Sequence, residues 1–258
     1  MAEKRDTAVQ SVERAIAILK SFSHERPERG VNELSRELGL HKSTVSRLMI
    51  TLEREGLLFR NPQTERYRLG LELVGLAAQV MNHMDVREIA RPFLRELAEA
   101  CQETVNLAIL HESQVVDLDQ FVPPMRRVKN IGWVGRRMPP HCSAAGKVLL
   151  AHLPQDKLDR ILSSRLEKLT PKTITDPDTL RAELAFVHQQ EYAAVIEEME
   201  EGLNAVAAPI YDHTGRVTSA ASIAGPAFRV TPEVFPQLAA LLMKTTAKIS
   251  EQLGHRGG

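Results

Sequence analysis

Two stretches of the chain gather polar side chains at spacings that could do chemistry. The first is Val31-Asn-Glu-Leu-Ser-Arg-Glu-Leu-Gly39-Leu-His-Lys42-Ser43-Thr44-Val45-Ser46-Arg47-Leu48. Its apolar positions Leu34, Leu38, Leu40, Val45 and Leu48 flank Gly39, predicting two short helices held together across a tight turn. With those side chains turned inward, Lys42, Ser43, Thr44, Ser46 and Arg47 face outward where the second helix begins. A helix-turn-helix presents that end to the major groove of double-stranded DNA. Short hydroxyls sit close to base edges, while Lys42 and Arg47 reach phosphates or guanine. A solvated helical hairpin would share the pattern. The next segment argues against that, because it adds Arg60, Arg66 and Arg68 on a strand-turn-strand pattern, placed as a wing that grips the DNA backbone.

The second stretch is Gly135-Arg-Arg-Met138-Pro-Pro-His141-Cys142-Ser143-Ala144-Ala145-Gly146-Lys147, ahead of an apolar helix. Small residues at a helix start leave N–H groups and the positive dipole end open to a carboxylate. Ser143 would cap the same helix with nothing bound. A phosphate loop is excluded, because Gly135 lies too far upstream and Val148 stands where the metal-binding hydroxyl belongs. Adjacent His141 and Cys142 cannot converge on one zinc ion, and no partner pair has suitable spacing. Neither a metal nor a cofactor is expected.

These stretches need a scaffold, and 258 residues with a balanced apolar and charged content suffice for a packed core. Two cysteines, Cys101 and Cys142, exclude a disulfide framework. The opening residues lack the apolar run of a signal peptide, and no stretch is apolar enough to span a bilayer, so a cytoplasmic protein without a membrane partner is expected. Equal numbers of basic and acidic residues, 33 each, argue against a surface coated in positive charge. The balance is uneven along the chain, however: residues 1–70 hold 13 basic against 10 acidic side chains, and the remainder 20 against 23. The basic excess therefore coincides with the helix-turn-helix pattern.

Periodicity predicts a first helix through Val12, Ala15, Ile16, Ile18 and Leu19, capped by Ser11. A second helix covers 33–38, capped by Asn32, and a third runs from Lys42 to Gly56. A hairpin joins 57–60 to 66–69. Further helices cover 71–84 and 86–101, the latter with a kink or break at Pro92. Strands are predicted at 105–110, 115–122, 203–211 and 217–224, and helices at 144–152, 155–163, 177–190 and 232–253. Irregular interspersion of this kind implies an α+β domain with a largely antiparallel sheet. The expected domains are 1–70, a linker helix at 71–84, and 85–258.

Three separated motifs carry a family resemblance: Ser11-Val-Glu-Arg-Ala-Ile-Ala-Ile-Leu through Lys42-Ser-Thr-Val-Ser-Arg-Leu to Tyr67-Arg-Leu-Gly70; Pro140-His-Cys-Ser-Ala-Ala-Gly-Lys-Val-Leu-Leu-Ala; and Glu200 to Pro209 with Ser222-Ile-Ala-Gly-Pro226. In this order they resemble the IclR family of bacterial transcriptional regulators over nearly the whole chain. The resemblance implies a winged helix-turn-helix, a linker helix and a GAF-like domain that binds a small organic effector. It also implies a homodimer or dimer of dimers on palindromic operator DNA, acting as repressor or activator of a catabolic operon rather than as an enzyme. Carried over residue by residue, the effector amides fall on Ala144 and Ala145, and one serine is kept as Ser222. An aspartate, a cysteine and a second serine of oxoacid-sensing members become Val195, Ala205 and Ala224. Met138, Leu203 and Asn130 take places in the wall. Each hydrogen bond to a charged ligand is worth roughly 1.5–3 kcal/mol, so the expected effector is a larger, partly apolar acid such as an aromatic one. The competing reading is an enzyme or thiol redox sensor tethered to DNA, using Cys142 and His141.

Overall fold

The structure, a computed structural model, describes residues 9–23, 25–82, 85–123 and 134–255; Asn130 lies outside them. The chain divides into two compact units, Met1–His83 and Met84–Gly258.

The first unit contains α1 (Gln10–Lys20), α2 (Val31–Glu37), α3 (Lys42–Arg54), β1 (Leu58–Arg60), β2 (Tyr67–Leu69) and α4 (Glu72–Asn82). Gly39 makes the turn between α2 and α3 at φ +64°, a conformation that favours glycine. Ile18, Leu34, Val45, Met49, Leu52, Leu58 and Tyr67 form the core. Two local expectations change. Val9 rather than Ser11 occupies the α1 cap position, and α2 starts at Val31 behind Gly30 instead of at an Asn32 cap. Val12 and Ile16, expected on the packed face of α1, are exposed.

The unit is tied together by Arg29, whose guanidinium is fully buried. It pairs with Glu33 at 2.7 Å and with Glu37, and donates to the Ser21 carbonyl at 2.6 Å. Its backbone exchanges two 2.8 Å hydrogen bonds with Tyr67. One residue thus joins the end of α1, one face of α2 and the second wing strand.

The second unit comprises α5 (Asp85–Cys101), β3 (Thr104–His111), β4 (Gln114–Phe121), β5 (Arg137–Met138), α6 (Ala144–Ala151), α7 (Gln155–Leu162), α8 (Pro177–Gln190), β6 (Ala193–Ile196), β7 (Leu203–Tyr211), β8 (Val217–Pro226) and α9 (Phe235–Gln252). The strands form one antiparallel sheet in the order β5-β4-β3-β8-β7-β6. Helix α5 continues through Pro92 without a break. The short strands β5 and β6 were not foreseen from the sequence.

Strand alternation sorts side chains onto two different faces. Val105, Leu107, Val206, Ala208, Ile210, Ala221 and Ile223 pack under α5 and α9. Ala108, Ala207, Ala220 and Val195 face α6 on the other side. A register shift between Leu107 and Ala108 leaves Leu118 as an extra residue on β4. Asp117 consequently pairs with Ala108 on the α6 face, while Asp119 pairs with Leu107 and meets Arg87 and Arg91 of α5 at 3.2 Å. Leu150 of α6 joins Leu158, Ile161, Leu162, Leu180 and Leu184 in a smaller cluster that fastens α7 and α8 outside it.

Helix α6 is entered by a 3₁₀ turn, Pro140–Cys142. A Cβ on Gly146 would lie 2.2 Å from the Pro140 carbonyl oxygen and 2.6 Å from its Cα, so only glycine admits this approach of backbone to backbone. Gly146→Ala should therefore destabilise the second unit by roughly 2–4 kcal/mol, seen as a lower urea midpoint for the full chain, whereas Gly75→Ala, whose added Cβ would meet nothing within 4 Å, should not lower it.

Candidate functional site

Helix α3 starts after His41, whose Nδ1 accepts the Ser43 amide at 3.3 Å and lies 2.7 Å from the Ser43 hydroxyl. Lys42, Ser43 and Arg47 are exposed on the helix, while Thr44 and Ser46 are half-buried. Ile50 continues the Ser43–Arg47 face at the next turn and is 53% exposed. That is an unusual place for a large aliphatic side chain unless a partner's apolar group meets it; the motif reading missed both Ile50 and His41.

The wing arginines differ from one another. Arg68 lies over the Phe59 ring, 4.5 Å from its centre, and Arg60 pairs with Glu65 across the hairpin. Arg66 donates to the Glu28 carbonyl at 2.9 Å and to Glu33 at 2.8 Å. Its guanidinium is thus braced against the unit beside Arg29 while its side chain stays 44% exposed.

In the second unit, Met138, Ala144, Ala145, Val195, Leu203, Ala205, Ser222 and Ala224 line one cavity, together with Asn106, Asp117, Cys142, Ser143 and Met199. The empty space within this lining, open solvent at the mouth included, is about 490 Å³. Space exists because the sheet face under α6 carries small residues, Ala205 and Ala224 among them. At the helix start the Ser143 hydroxyl accepts the Gly146 amide at 3.1 Å and the Ser143 carbonyl accepts the Lys147 amide at 2.9 Å. The Ala144 and Ala145 amides find no acceptor among the described residues, so both remain available to an anion.

Asn106 and Ser222 stand directly opposite each other on β3 and β8. The Asn106 side-chain Oδ1 accepts from Gln120 Nε2 at 2.9 Å. Asp117 adds a carboxyl to the wall, and burial pushes its pKa up to about 7 against a smaller opposing pull from Arg136. The cavity is therefore less uniformly apolar than the substitutions at 195, 205 and 224 implied. Asn106 and Asp117 belong to strands whose alternation was readable, but only the bulge at Leu118 fixes which face Asp117 takes.

Further along α6, Lys147 is fully buried and donates to Glu183 of α8 and to Glu198, each at 2.5 Å. Beside it, burial pushes the Cys142 thiol up to about 12, with the Glu198 charge adding to the effect. The His141 ring is also buried, its pKa lowered by that burial, and its Nε2 meets the Glu167 carbonyl at 2.9 Å rather than the thiol. A thiol so placed stays protonated at neutral pH, is hydrogen-bonded to no base among the described residues, and is a poor nucleophile.

A buried-core helix pair with a recognition-type helix and wing, followed by an α+β unit, defines a helix-turn-helix transcriptional regulator. Residues 11–62 match the profile described as IclR helix-turn-helix domain, and residues 78–251 match that of the bacterial transcriptional regulator IclR C-terminal domain. The chain belongs to the IclR family of bacterial transcriptional regulators. It is similar to the HTH-type transcriptional regulator KdgR of Escherichia coli (34% identity over 98% of this chain and 96% of that one). It is also similar to the HTH-type transcriptional repressor AllR of Klebsiella pneumoniae (35% identity over 95% and 90%). Among solved structures, an IclR homolog from Microbacterium hydrocarbonoxydans, complexed with 4-hydroxybenzoate, superposes with a TM-score of 0.83 at 27% identity over 94% of this chain and 98% of that one. These relatives are regulators, so the catalytic reading of Cys142 and His141 is set aside. Among the described residues no helix is long and apolar enough to cross a membrane.

Asp117 also makes stability depend on pH. Its folded pKa lies above the ordinary carboxylate value, so the folded chain holds a proton that the unfolded chain has lost, and stability falls as pH rises towards about 7. Above that the penalty is constant. Asp117→Asn should be more stable than the parent, with an advantage that grows by roughly 2 kcal/mol between pH 5 and pH 8, as read from urea unfolding at the two pH values. An advantage that does not change with pH would show that the carboxyl is ionised throughout.

Proposed function

We propose that this chain is a dimeric repressor or activator of a catabolic operon, released or engaged by a partly apolar organic acid. The acid's carboxylate sits on the Ala144 and Ala145 amides and the Ser222 hydroxyl, and its body rests on Val195, Ala205 and Ala224. The observation that carries the reading is the joining, in one cavity, of two open helix amides with an alanine-lined sheet face. Asp117 and Asn106 sharpen it. A protonated Asp117 donates a hydrogen bond, and Asn106 supplies further polar contact, so an acid bearing a second oxygen, such as a hydroxybenzoate, satisfies more of the wall than benzoate does. The Microbacterium relative's 4-hydroxybenzoate complex supports the same class.

On the DNA side, Lys42 and Arg47 approach phosphates or guanine, and Ser43, Thr44 and Ser46 lie against base edges. Ile50 suits a thymine methyl, while Arg60 and Arg68 flank the backbone. Arg66 acts as a brace for the wing. The exposed apolar side chains Val9, at the cap of α1, and Val12 and Ile16 within it, with Leu71, Val74 and Leu76 at and in α4, favour a second copy as their cover. This is consistent with α4 as linker and dimer seam between a DNA-binding segment at 1–70 and an effector-binding segment at 85–258.

Calorimetric titration of the full chain should give tighter binding for 4-hydroxybenzoate or benzoate than for glyoxylate or pyruvate, with Ser222→Ala weakening the aromatic acid about tenfold or more. Tighter binding of either small oxoacid would reverse the assignment. Lys42→Ala should weaken binding to all duplexes and lower the salt slope by about one, and Arg47→Ala or Ile50→Ala should shift operator preference. Arg66→Ala should lower thermal stability and leave the salt slope unchanged; a drop in slope would return it to the backbone-gripping set.

A further inference from the structure

A second polar cluster lies away from the cavity. His152 caps the end of α6, and His188 and Glu191 stand one turn apart at the end of α8. One ligand-type atom from each of the three lies within 4.8 Å of the others. We propose that His152, His188 and Glu191 form a binding site for a divalent transition-metal ion of the zinc class, clipping the end of α6 to the end of α8.

The hydrogen-bond pattern supports this more directly than proximity does. His152 Nδ1 lies 2.9 Å from the Val148 carbonyl, which can only accept, so Nδ1 carries the proton. In the neutral ring, Nε2 is then a bare lone pair. It faces the Glu191 Oε1 at 3.5 Å and the Tyr211 hydroxyl at 3.3 Å. The single Tyr211 proton is engaged by the other Glu191 oxygen, and with burial this holds the phenol pKa above its ordinary value. No described group is left to donate to His152 Nε2. A lone pair opposite a carboxylate is repulsive unless a cation lies between them, either an added proton or a metal ion.

The surroundings favour a metal. Two ligands on a tetrahedral zinc are about 3.3 Å apart, close to the observed His152–Glu191 separation. The Val148 carbonyl on the far ring nitrogen of His152 and the Tyr211 hydroxyl on the second Glu191 oxygen are the outer contacts that orient ligating imidazoles and carboxylates. His188 meets His152 edge to face, ring centres 4.8 Å apart, and is exposed. Its ring can rotate inward, and the ion has an entry path from solvent. Three protein ligands leave a fourth place for water. The sequence reading found no metal site because it sought ligands at short spacing; these three come together only through the packing of α6 against α8.

The test is titration of the tag-free, chelator-treated full chain with zinc chloride, by calorimetry and by thermal unfolding. One zinc ion should bind per chain in the micromolar range or tighter, and raise the unfolding temperature. His188→Ala and Glu191→Gln should each weaken binding about tenfold or more, with His188→Ala unfolding like the parent in chelator because the ring is exposed. His111→Ala, at an exposed site on β3, should bind zinc like the parent. Absence of saturable micromolar binding, binding unaffected by both site variants, or equal loss in His111→Ala would overturn the proposal. None of these results bears on effector binding, which the acid titrations read separately.

Discussion

A single buried ammonium determines where the cavity can be. Lys147 lies one turn into α6, out of contact with solvent, and its charge is met by Glu183 from α8 and Glu198 from the loop after β6. Removing three charges from water costs much of what their attraction returns, so such a cluster is a weak source of stability. Burial holds the Glu198 pKa above its ordinary value despite the lysine, and one of its oxygens has no partner. What the cluster does supply is position. An α6 shifted by one residue would strand the ammonium, and an uncompensated buried charge costs far more than misplaced apolar contacts. The loop carrying Glu198 is itself fastened, its carbonyl accepting from Thr173 at 2.6 Å. The Ala144 and Ala145 amides, in the turn of the same short helix that leads into Lys147, inherit that fixed position.

The sheet below the helix completes the constraint. Its two faces are made by the same strands, yet one carries mostly Val, Leu and Ile and the other mostly Ala and Ser. Large side chains bring α5 and α9 into close contact with the sheet, while small ones leave a gap beneath α6 that no rotamer can fill. Had Ala205 or Ala224 been leucine, α6 would have packed directly on the sheet and covered its own open amides. Asp117 enters this gap while Asp119 faces α5 only because Leu118 is extra on β4; without the bulge, alternation would put both carboxyls on one face.

Long, periodic elements were legible from the sequence. Strand β7 and helix α8 fall on the predicted spans, and the turn at Gly39 and the hairpin about Asn61 to Thr64 follow from residue chemistry that acts locally. Strands β5 and β6 were not legible, since two and four residues carry no detectable period and pair only because β4 and β7 offer edges. The same division holds for the sites. Residues given by a motif, such as Ala144, Ala145 and Ser222, could be named in advance. Asn106, Asp117 and Met199 could not, nor could the cluster at His152, because each depends on register or on helix-to-helix packing that has no short-range signature.

Charge in the first unit shows why counting was a poor guide there. The basic excess over residues 1–70 is three, but several of those arginines are committed inside the unit. Arg29 is buried against Glu33 and Glu37, Arg66 shares Glu33, and Arg60 pairs with Glu65. Arg29 and Arg66 join the wing to α2, so they set the angle at which β1 and β2 flank α3, and their charges are largely compensated before any DNA arrives. Lys42 and Arg47 at the exposed end of α3, and Arg68 on the wing, make no salt bridge among the described residues, so their charges are the ones left to act on DNA at short range. Phosphate contacts release roughly one counterion each, so a unit with so few of them gains little affinity from counterion release, and a second such helix beside it would add as much again. A second copy, the cover proposed above for the exposed apolar side chains of α1 and α4, would double the number of phosphate contacts.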